Sequence, residues 1–156
     1  MFDQPPAITD FDRRCMRMAL QEAEEAFAAG EIPVGAVVAA QGKILAKGRN
    51  QTELLHDVTA HAEMIAITSA ANSLGAKFLT DCTLYITLEP CVMCAGAIFW
   101  ARPSRLVVGA PDEKRGFSSV AGLHLLHPKT SYISGVMAEE SRALLQEFFR
   151  QRRELQ

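Results

Sequence analysis

Two short stretches of the chain carry side chains that could bind a metal ion. Cys91 and Cys94 are three positions apart, and His61 and Glu63 lie two positions apart earlier in the chain. Each stretch falls near the predicted start of a helix, where the positive end of the helix dipole favours thiolate over thiol. Two thiolates and one imidazole suit Zn²⁺ in tetrahedral geometry, with the fourth position open to water. The pattern predicts a catalytic zinc site.

Glu63 has a different predicted role from the three metal-binding side chains. It follows His61 by two residues, so on a helix the two side chains point in clearly different directions. Glu63 need not bind the metal and can face the bound water instead. Zinc lowers the pKa of bound water to about 7, and a carboxylate beside it can accept that proton and pass it on. We predict that Glu63 is the catalytic proton carrier of a hydrolytic reaction.

Each motif also has a simpler interpretation. A lone Cys91-x-x-Cys94 is typical of thioredoxin-like redox proteins, whose flanking pattern is missing here. A closed structural zinc site would need Cys82 or His56 as the fourth ligand, and it would leave Glu63 without a task. A chain of 156 residues also buries enough surface to fold without a metal. The two motifs together favour the catalytic interpretation.

The composition bounds the class of protein. The chain is 49% hydrophobic and 22% charged, with a formal net charge of −2, which excludes disordered proteins and proteins that coat nucleic acid through bulk positive charge. Residues 1–156 are predicted to form a single domain. No apolar run is long enough to span a membrane, and Met1–Pro6 lacks the features of a secretory signal. Closely spaced cysteines fit a reducing compartment, so we expect a cytoplasmic protein.

The hydrophobic pattern predicts helices that alternate with strands. The second helix is expected to start at a Thr59 cap, which places His61 in its first turn. Residues 49–58 read as irregular, and Ala110–Ser134 reads as a mixed segment long enough to be a functional loop. The predicted helices lie between Thr9 and Gly30, between Thr59 and Gly75, from Cys91 to Ala101 and from about Glu139 to Arg153, and the predicted strands are Val34–Ala39, Ile44–Ala46, Thr83–Thr87 and Arg105–Gly109.

This order of elements predicts a three-layer α/β/α architecture, in which helices cover a mixed sheet of about five strands. The first two strands should form an antiparallel hairpin. Cys15 falls within the first helix and Cys82 just before a strand, so both are predicted to be buried small apolar residues. Phe148 and Phe149 are adjacent on one helix, so only one of them can point into the core.

The joint pattern of His-x-Glu and Pro-Cys-x-x-Cys is the signature of zinc-dependent nucleobase deaminases. Over nearly its whole length the chain further resembles the bacterial tRNA-specific adenosine deaminases, the TadA family. The resemblance rests on Glu31–Val37, Asn50, Thr59–Glu63, Thr87–Ala97 and Phe148–Arg153. It implies a cytidine-deaminase-like fold, one zinc ion per subunit, a homodimer, and conversion of adenosine to inosine at the wobble position of a tRNA anticodon.

The same resemblance implies roles for individual residues. It makes His61, Cys91 and Cys94 the zinc ligands and Glu63 the proton shuttle. It also implies that Asn50 hydrogen-bonds the nucleoside that is flipped out of the anticodon loop. Further contacts with the anticodon stem-loop are implied for Asp112, Lys114, Phe149, Arg150, Arg152 and Arg153.

Two other interpretations of the substrate stay open. Phe99–Pro103 is also similar to the guanine deaminase branch, and the segment after His127-Pro128 looks shorter than in relatives and lacks their Asn-His pair. One alternative is therefore a deaminase of a free base or nucleoside, of guanine or cytosine type, with the same zinc chemistry. The other is a zinc-containing interaction module without catalysis. Added salt separates RNA binding from binding of a small neutral base, because only the former releases counterions.

Overall fold

A five-stranded sheet forms the middle layer of the protein. The structure is a computed structural model that describes residues 7–156, so the prediction that residues 1–6 form no export signal lies outside the described residues. The helices are α1 Asp10–Ala28, α2 Thr52–Leu55, α3 Ala62–Leu74, α4 Val92–Ala101, α5 Phe117–Val120 and α6 Ala138–Glu154, with a 3₁₀ turn at Leu123–Leu125. The strands are β1 Gly35–Ala40, β2 Lys43–Arg49, β3 Thr83–Leu88, β4 Arg105–Ala110 and β5 Ser131–Ile133.

The sheet is mixed, as predicted. Its strand order is β2-β1-β3-β4-β5. Strand β1 is antiparallel to β2 and β3, whereas β3, β4 and β5 run parallel to one another. Helix α4 connects the parallel strands β3 and β4, so the carboxyl ends of these strands lie at the same sheet edge. Ligand sites in α/β sheets form at such edges.

Helices cover both faces of this sheet. Ala36 and Val38 of β1 pack in one apolar cluster with α3 and α4, whereas Val37 and Ala39 pack in a second cluster with α1. The separation follows from the strand geometry, because successive side chains point to opposite faces. Helix α6 contacts α1, β3 and β4 and therefore lies on the α1 side. The predicted three-layer architecture is confirmed. Among the described residues, no helix has the length and apolar character needed to cross a bilayer.

The start of α3 differs from the prediction. His61 is the N-cap and Ala62 the first helical residue, so the expected cap at Thr59 and the placement of His61 in the first turn are wrong. The Thr59 hydroxyl instead donates a hydrogen bond to Asp57 Oδ1 at 2.7 Å. Asn50 supplies the acceptor for the helix start, because its Oδ1 accepts from the Ala62 N–H at 2.8 Å. A long-range contact has replaced the local cap.

The stretch predicted to be irregular contains the short helix α2. Its start is fixed by Glu31, which is 2% exposed. One carboxylate oxygen of Glu31 accepts from the Glu53 N–H at 3.0 Å, and the other accepts from the Leu54 N–H at 2.9 Å. An anionic side chain at the amino end of a helix stabilises the free N–H groups there. A residue distant in sequence thus sets a local structure.

The predicted placement of four side chains is confirmed. Cys15 and Cys82 are both buried. Phe148 is buried against Phe27, with the two ring centroids 5.6 Å apart and an edge-on geometry. Phe149 is 43% exposed on the same helix. Phe148 therefore fixes α6 to α1, and Phe149 is free to contact other molecules.

Candidate metal centre and substrate cavity

His61, Cys91 and Cys94 converge at the amino ends of α3 and α4. The Nδ1 atom of His61 lies 3.7 Å from Cys91 Sγ and 3.5 Å from Cys94 Sγ. Atoms that bind one zinc tetrahedrally at normal bond lengths are separated by about 3.5–3.8 Å. Because the observed separations match, these three residues are positioned to hold one zinc ion.

The group of metal-binding side chains has three members. Within the described part of the chain, no fourth His, Cys, Asp or Glu joins it. Cys82 and His56, the candidates for a closed structural site, are not part of the group. Three protein ligands are typical of catalytic zinc, whereas structural zinc usually has four. The donor set therefore fits the catalytic interpretation.

The two thiols of this centre differ strongly in acidity. A hydrogen bond from the Cys94 thiol lowers the pKa of Cys91 from 9.0 to about 5, with help from the backbone N–H groups of Cys94 and Met93 and against the effect of burial. The same hydrogen bond, together with burial, raises the pKa of Cys94. Cys91 is therefore the more acidic thiol of the pair. Cys91 occupies the N-cap of α4, where these N–H groups are not used within the helix.

Glu63 faces the same cavity as the metal-binding side chains of His61 and Cys91. It is the second residue of α3 and is 4% exposed. Burial raises the pKa of Glu63 above its ordinary value. A carboxyl group with a raised pKa accepts a proton more readily than an ordinary glutamate and can pass it to a bound substrate. The position and chemistry of Glu63 suit the predicted proton carrier.

The cavity beside these residues has a volume of about 440 Å³, which is within the range of small-molecule sites. Its apolar wall includes Ile32, Val34 and Val58, and its polar wall includes Asn50. Oδ1 of Asn50 is bound to the Ala62 N–H, and within the described residues its Nδ2 group has no protein acceptor. The amide therefore offers two donors to a molecule in the cavity.

Strand β2 can approach α3 closely because Gly48 has no side chain. A Cβ at this position would lie 2.5 Å from the Ala62 carbonyl oxygen and 2.8 Å from the Ala66 nitrogen. Residues 48–50 therefore run directly against the first turn of α3. This approach brings Asn50 within reach of both the Ala62 N–H and the cavity.

A second cavity of about 660 Å³ adjoins the first. The two share Asp112 and Arg115 of the loop after β4. The second cavity also contains the predicted contacts Lys114 and Phe149. Asp112 shapes this loop, because its Oδ1 accepts from the N–H groups of Lys114 at 3.1 Å and Arg115 at 3.0 Å. The structure thus brings three of the six predicted stem-loop contacts together.

The three arginines near the end of α6 lie outside both cavities. Arg150 pairs with Glu147 and Glu154, at 2.5 Å each. Arg152 donates to the Gly30 carbonyl oxygen and lies over the Phe148 ring, 4.9 Å from its centroid. Arg153 is exposed. Contacts of these arginines with RNA stay predictions.

Residues 9–110 match the family model of the cytidine and deoxycytidylate deaminase zinc-binding region. A tRNA-specific adenosine deaminase of Haemophilus influenzae is 44% identical over 97% of this chain and 91% of its own. A solved structure of a tRNA:A34 deaminase is 40% identical, with a TM-score of 0.79 over 85% of this chain and 99% of that one. The chain belongs to the tRNA-specific adenosine deaminase family. The resemblance and the predicted fold are therefore confirmed.

Members of the tRNA-specific adenosine deaminase family differ in length. A chloroplastic tRNA(adenine(34)) deaminase of Arabidopsis thaliana is 43% identical over 90% of this chain, which spans only 12% of that protein. One structure of the neighbouring guanine deaminase branch matches over a smaller part of the chain. A guanine deaminase structure from Bacillus subtilis is 40% identical, with a TM-score of 0.61 over 72% of this chain and 69% of that one.

The structure adds residues that sequence reasoning missed in this family member. Arg142 borders the second cavity. It could have been found from its place seven residues before Phe149, on the same face of a helix. Glu89 also borders the first cavity. In the sequence, the one signal for Glu89 is its position directly before Pro90 and Cys91.

Proposed function

We propose that this chain catalyses the hydrolytic deamination of adenosine to inosine at the wobble position of a tRNA anticodon. The proposal rests on one arrangement. His61 and Cys91 of the zinc-binding group, the buried carboxyl group of Glu63 and the available amide of Asn50 face a single cavity, which adjoins a second cavity bordered by cations. A free base would need only the first cavity. Several relatives that match this chain over most of their own length are tRNA-specific adenosine deaminases.

Proton transfer by Glu63 is the central step. One zinc ion per subunit, held by His61, Cys91 and Cys94, supplies a Lewis acid that lowers the pKa of water to about 7. A carboxylate oxygen of Glu63 accepts one proton of water and donates it to N1 of adenine, while the water oxygen forms a bond to C6. Glu63 then carries the second proton of that water to the C6 amine, and the C6–N bond breaks as ammonia leaves. Water and adenosine become inosine and ammonia, and Glu63 returns to its initial state.

Asn50 orients the nucleoside. Its Nδ2 group donates a hydrogen bond to the substrate, while its Oδ1 stays bound to Ala62. The base must leave its stack to reach a cavity of this kind, at a cost of a few kcal/mol that is lowest for a single-stranded loop. An anticodon loop meets this requirement.

The second cavity is our proposed contact for the rest of the anticodon loop. Lys114 and Arg115 supply positive charge, Asp112 supplies a carboxylate, and exposed Phe149 offers a ring on which a base can stack. Cationic side chains that bind phosphates release counterions from the RNA. This favourable contribution offsets the repulsion between the RNA and a chain of net negative charge. Arg150, Arg152 and Arg153 are proposed to contact the stem. To bind a phosphate, Arg150 would have to break an ion pair with Glu147 or Glu154.

We also propose that the chain forms a homodimer in the cytoplasm, and that residues 1–156 form a single deaminase domain. The dimer is supported by exposed large apolar side chains on α4 and on the α5 and 3₁₀ segments that contact it. Exposed apolar side chains that are grouped together are typical of interaction surfaces. They are Val92, Met93, Trp100, Val120 and Leu123.

The decisive experiment offers the enzyme several substrates in parallel. These are the anticodon stem-loop of a bacterial arginine tRNA with adenosine at the wobble position, and free guanine, adenine and cytidine. We expect inosine and ammonia from the stem-loop, with a rate at subsaturating RNA that falls steeply as salt is added. Ammonia from guanine with no inosine in the RNA would instead support the guanine deaminase alternative. No ammonia from any substrate would support a non-catalytic zinc module.

A further inference from the structure

Glu89 is a buried carboxylate whose oxygens are both occupied by one loop. It is 5% exposed and immediately precedes Pro90 and the zinc ligand Cys91. Its Oε1 accepts from the Asp112 N–H at 3.3 Å. Its Oε2 accepts from the N–H and the hydroxyl of Ser118, at 3.0 and 2.8 Å. Within the described residues no lysine or arginine pairs with it, so loop donors alone stabilise this buried charge.

The backbone of the same loop is also bound to the segment that carries Cys91. Cys91 and Gly116 form an antiparallel bridge, and the Phe117 N–H donates to the Pro90 carbonyl oxygen at 2.9 Å. Gly116 is required here for space. A Cβ at Gly116 would lie 2.2 Å from Glu89 Oε2. The loop therefore fits closely around the Glu89 carboxylate.

This loop forms part of the wall of both cavities. Asp112 and Arg115 border the first cavity, and Lys114 borders the second. The loop is attached to Glu89 at two points, the N–H groups of Asp112 and Ser118. Lys114 and Arg115 lie between these two points. The Glu89 carboxylate thus sets where the loop side chains stand relative to the metal-binding residues.

We propose that Glu89 is a positioning residue for the polynucleotide substrate, because it fixes the loop 112–118 against the zinc-binding segment. The inference rests on the proposed function and identifies what holds the wall of its substrate site. Glu89 acts through the loop and leaves proton transfer to Glu63. Its role differs from simple support of Cys91, because loss of that support would reduce zinc binding, whereas loss of loop position weakens substrate binding.

The substitution Glu89→Gln separates these two roles. Glutamine keeps the volume but presents an NH₂ group to one of the loop N–H donors, so one attachment is lost. If the loop binds RNA equally strongly in the ground state and in the transition state, then displacing the loop raises KM and leaves kcat nearly unchanged. We expect KM for the anticodon stem-loop to rise at least tenfold, with kcat within threefold of wild type and one zinc per chain. For Ser118→Ala, which removes only the hydroxyl donor, we expect KM for the stem-loop to rise two- to fivefold.

Glu24→Gln is the matched control, because Glu24 is an exposed glutamate on α1 that lines neither cavity. It should leave KM, kcat and zinc content unchanged. An unchanged KM in Glu89→Gln, or a joint fall in zinc content and kcat with KM unchanged, would overturn the positioning role. If Glu89→Gln does not fold, Ser118→Ala decides, and a wild-type KM in that variant counts against the proposal. Failure of the wild-type chain to deaminate the stem-loop would refute the proposed function instead.

Discussion

The Oδ1 atom of Asn50 accepts a hydrogen bond from the Ala62 N–H at 2.8 Å, directly after the zinc ligand His61. The contact joins the end of β2 to the first residue of α3. It uses only the oxygen of the amide, and Asn50 also borders the substrate cavity. One side chain therefore binds the backbone beside a metal ligand and offers hydrogen-bond donors to a molecule in the cavity.

The two roles of Asn50 can be separated by substitution. Asn50→Asp keeps the acceptor for Ala62 but removes the NH₂ donor, so we expect normal zinc content and thermal stability with kcat/KM at least tenfold lower. Asn50→Ala removes both groups and leaves the buried N–H of Ala62 unpaired. This should lower the free energy of unfolding by about 1–3 kcal/mol. Urea unfolding and stem-loop kinetics measure the two effects. Normal kcat/KM in Asn50→Asp would exclude a substrate contact through Nδ2.

Glu63→Gln tests the proton carrier. Glutamine keeps the shape of the side chain but cannot accept and release a proton, so turnover should fall by about 10²–10⁴-fold. Zinc content should stay at one per chain, since Glu63 is not among the three metal-binding residues. Ammonia release under single-turnover conditions gives the rate, and atomic emission gives the metal content. Activity close to wild type would assign proton transfer to another group.

The zinc ligands could be predicted from sequence because each lies in or beside a short motif at a helix start. Cys91 and Cys94 share one helix entrance, and His61 caps another, so the two motifs taken together indicate the donor set. The main strands were also predictable, since their apolar runs are long enough to show a pattern. Strand β5 has only three residues, which is too short for any periodicity.

The parts that could not be predicted depend on contacts between residues far apart in the chain. The cap of α3 comes from Asn50, 12 residues before Ala62. The loop after β4 is held by Glu89, which bonds Ser118 at a separation of 29 residues. Neither contact changes the local hydrophobic pattern. Reading the sequence therefore located the metal centre but could not show what positions the substrate wall.

Arg115→Ala tests whether the second cavity binds RNA phosphate. Arg115 is exposed and borders both cavities, and within the described residues it forms no ion pair. Loss of one phosphate contact with single-stranded RNA should lower the slope of log affinity against log salt by about 0.7. Fluorescence anisotropy of a labelled stem-loop at several salt concentrations measures the slope. Arg14→Ala, which removes an exposed arginine of α1, is the control and should keep the wild-type slope.

A buried ion pair far from the metal centre should dominate the acid sensitivity of the fold. Asp12 of α1 is 1% exposed and accepts hydrogen bonds from Arg105 at 2.9 and 3.0 Å and from the Tyr85 hydroxyl at 2.5 Å. Burial acts to raise the pKa of Asp12, but the hydrogen bonds from Arg105, the Thr9 N–H and Tyr85 hold it below its ordinary value of 3.8. The carboxylate therefore stabilises the fold at neutral pH.

Asp12→Asn should make this contribution measurable. Because the folded pKa lies below the unfolded one, the stabilisation is complete above about pH 4 and is lost as the pH falls further. Leaving Arg105 without its carboxylate should reduce the free energy of unfolding by about 3 kcal/mol at pH 7. Urea unfolding at pH 7 and pH 3 should show that the difference in the free energy of unfolding narrows in acid. The reason is that Asp12 of the wild type gains a proton in the unfolded chain, whereas the asparagine variant has no carboxylate to protonate. A difference that stays constant across this range would show that packing, rather than the charge of Asp12, joins α1 to the sheet.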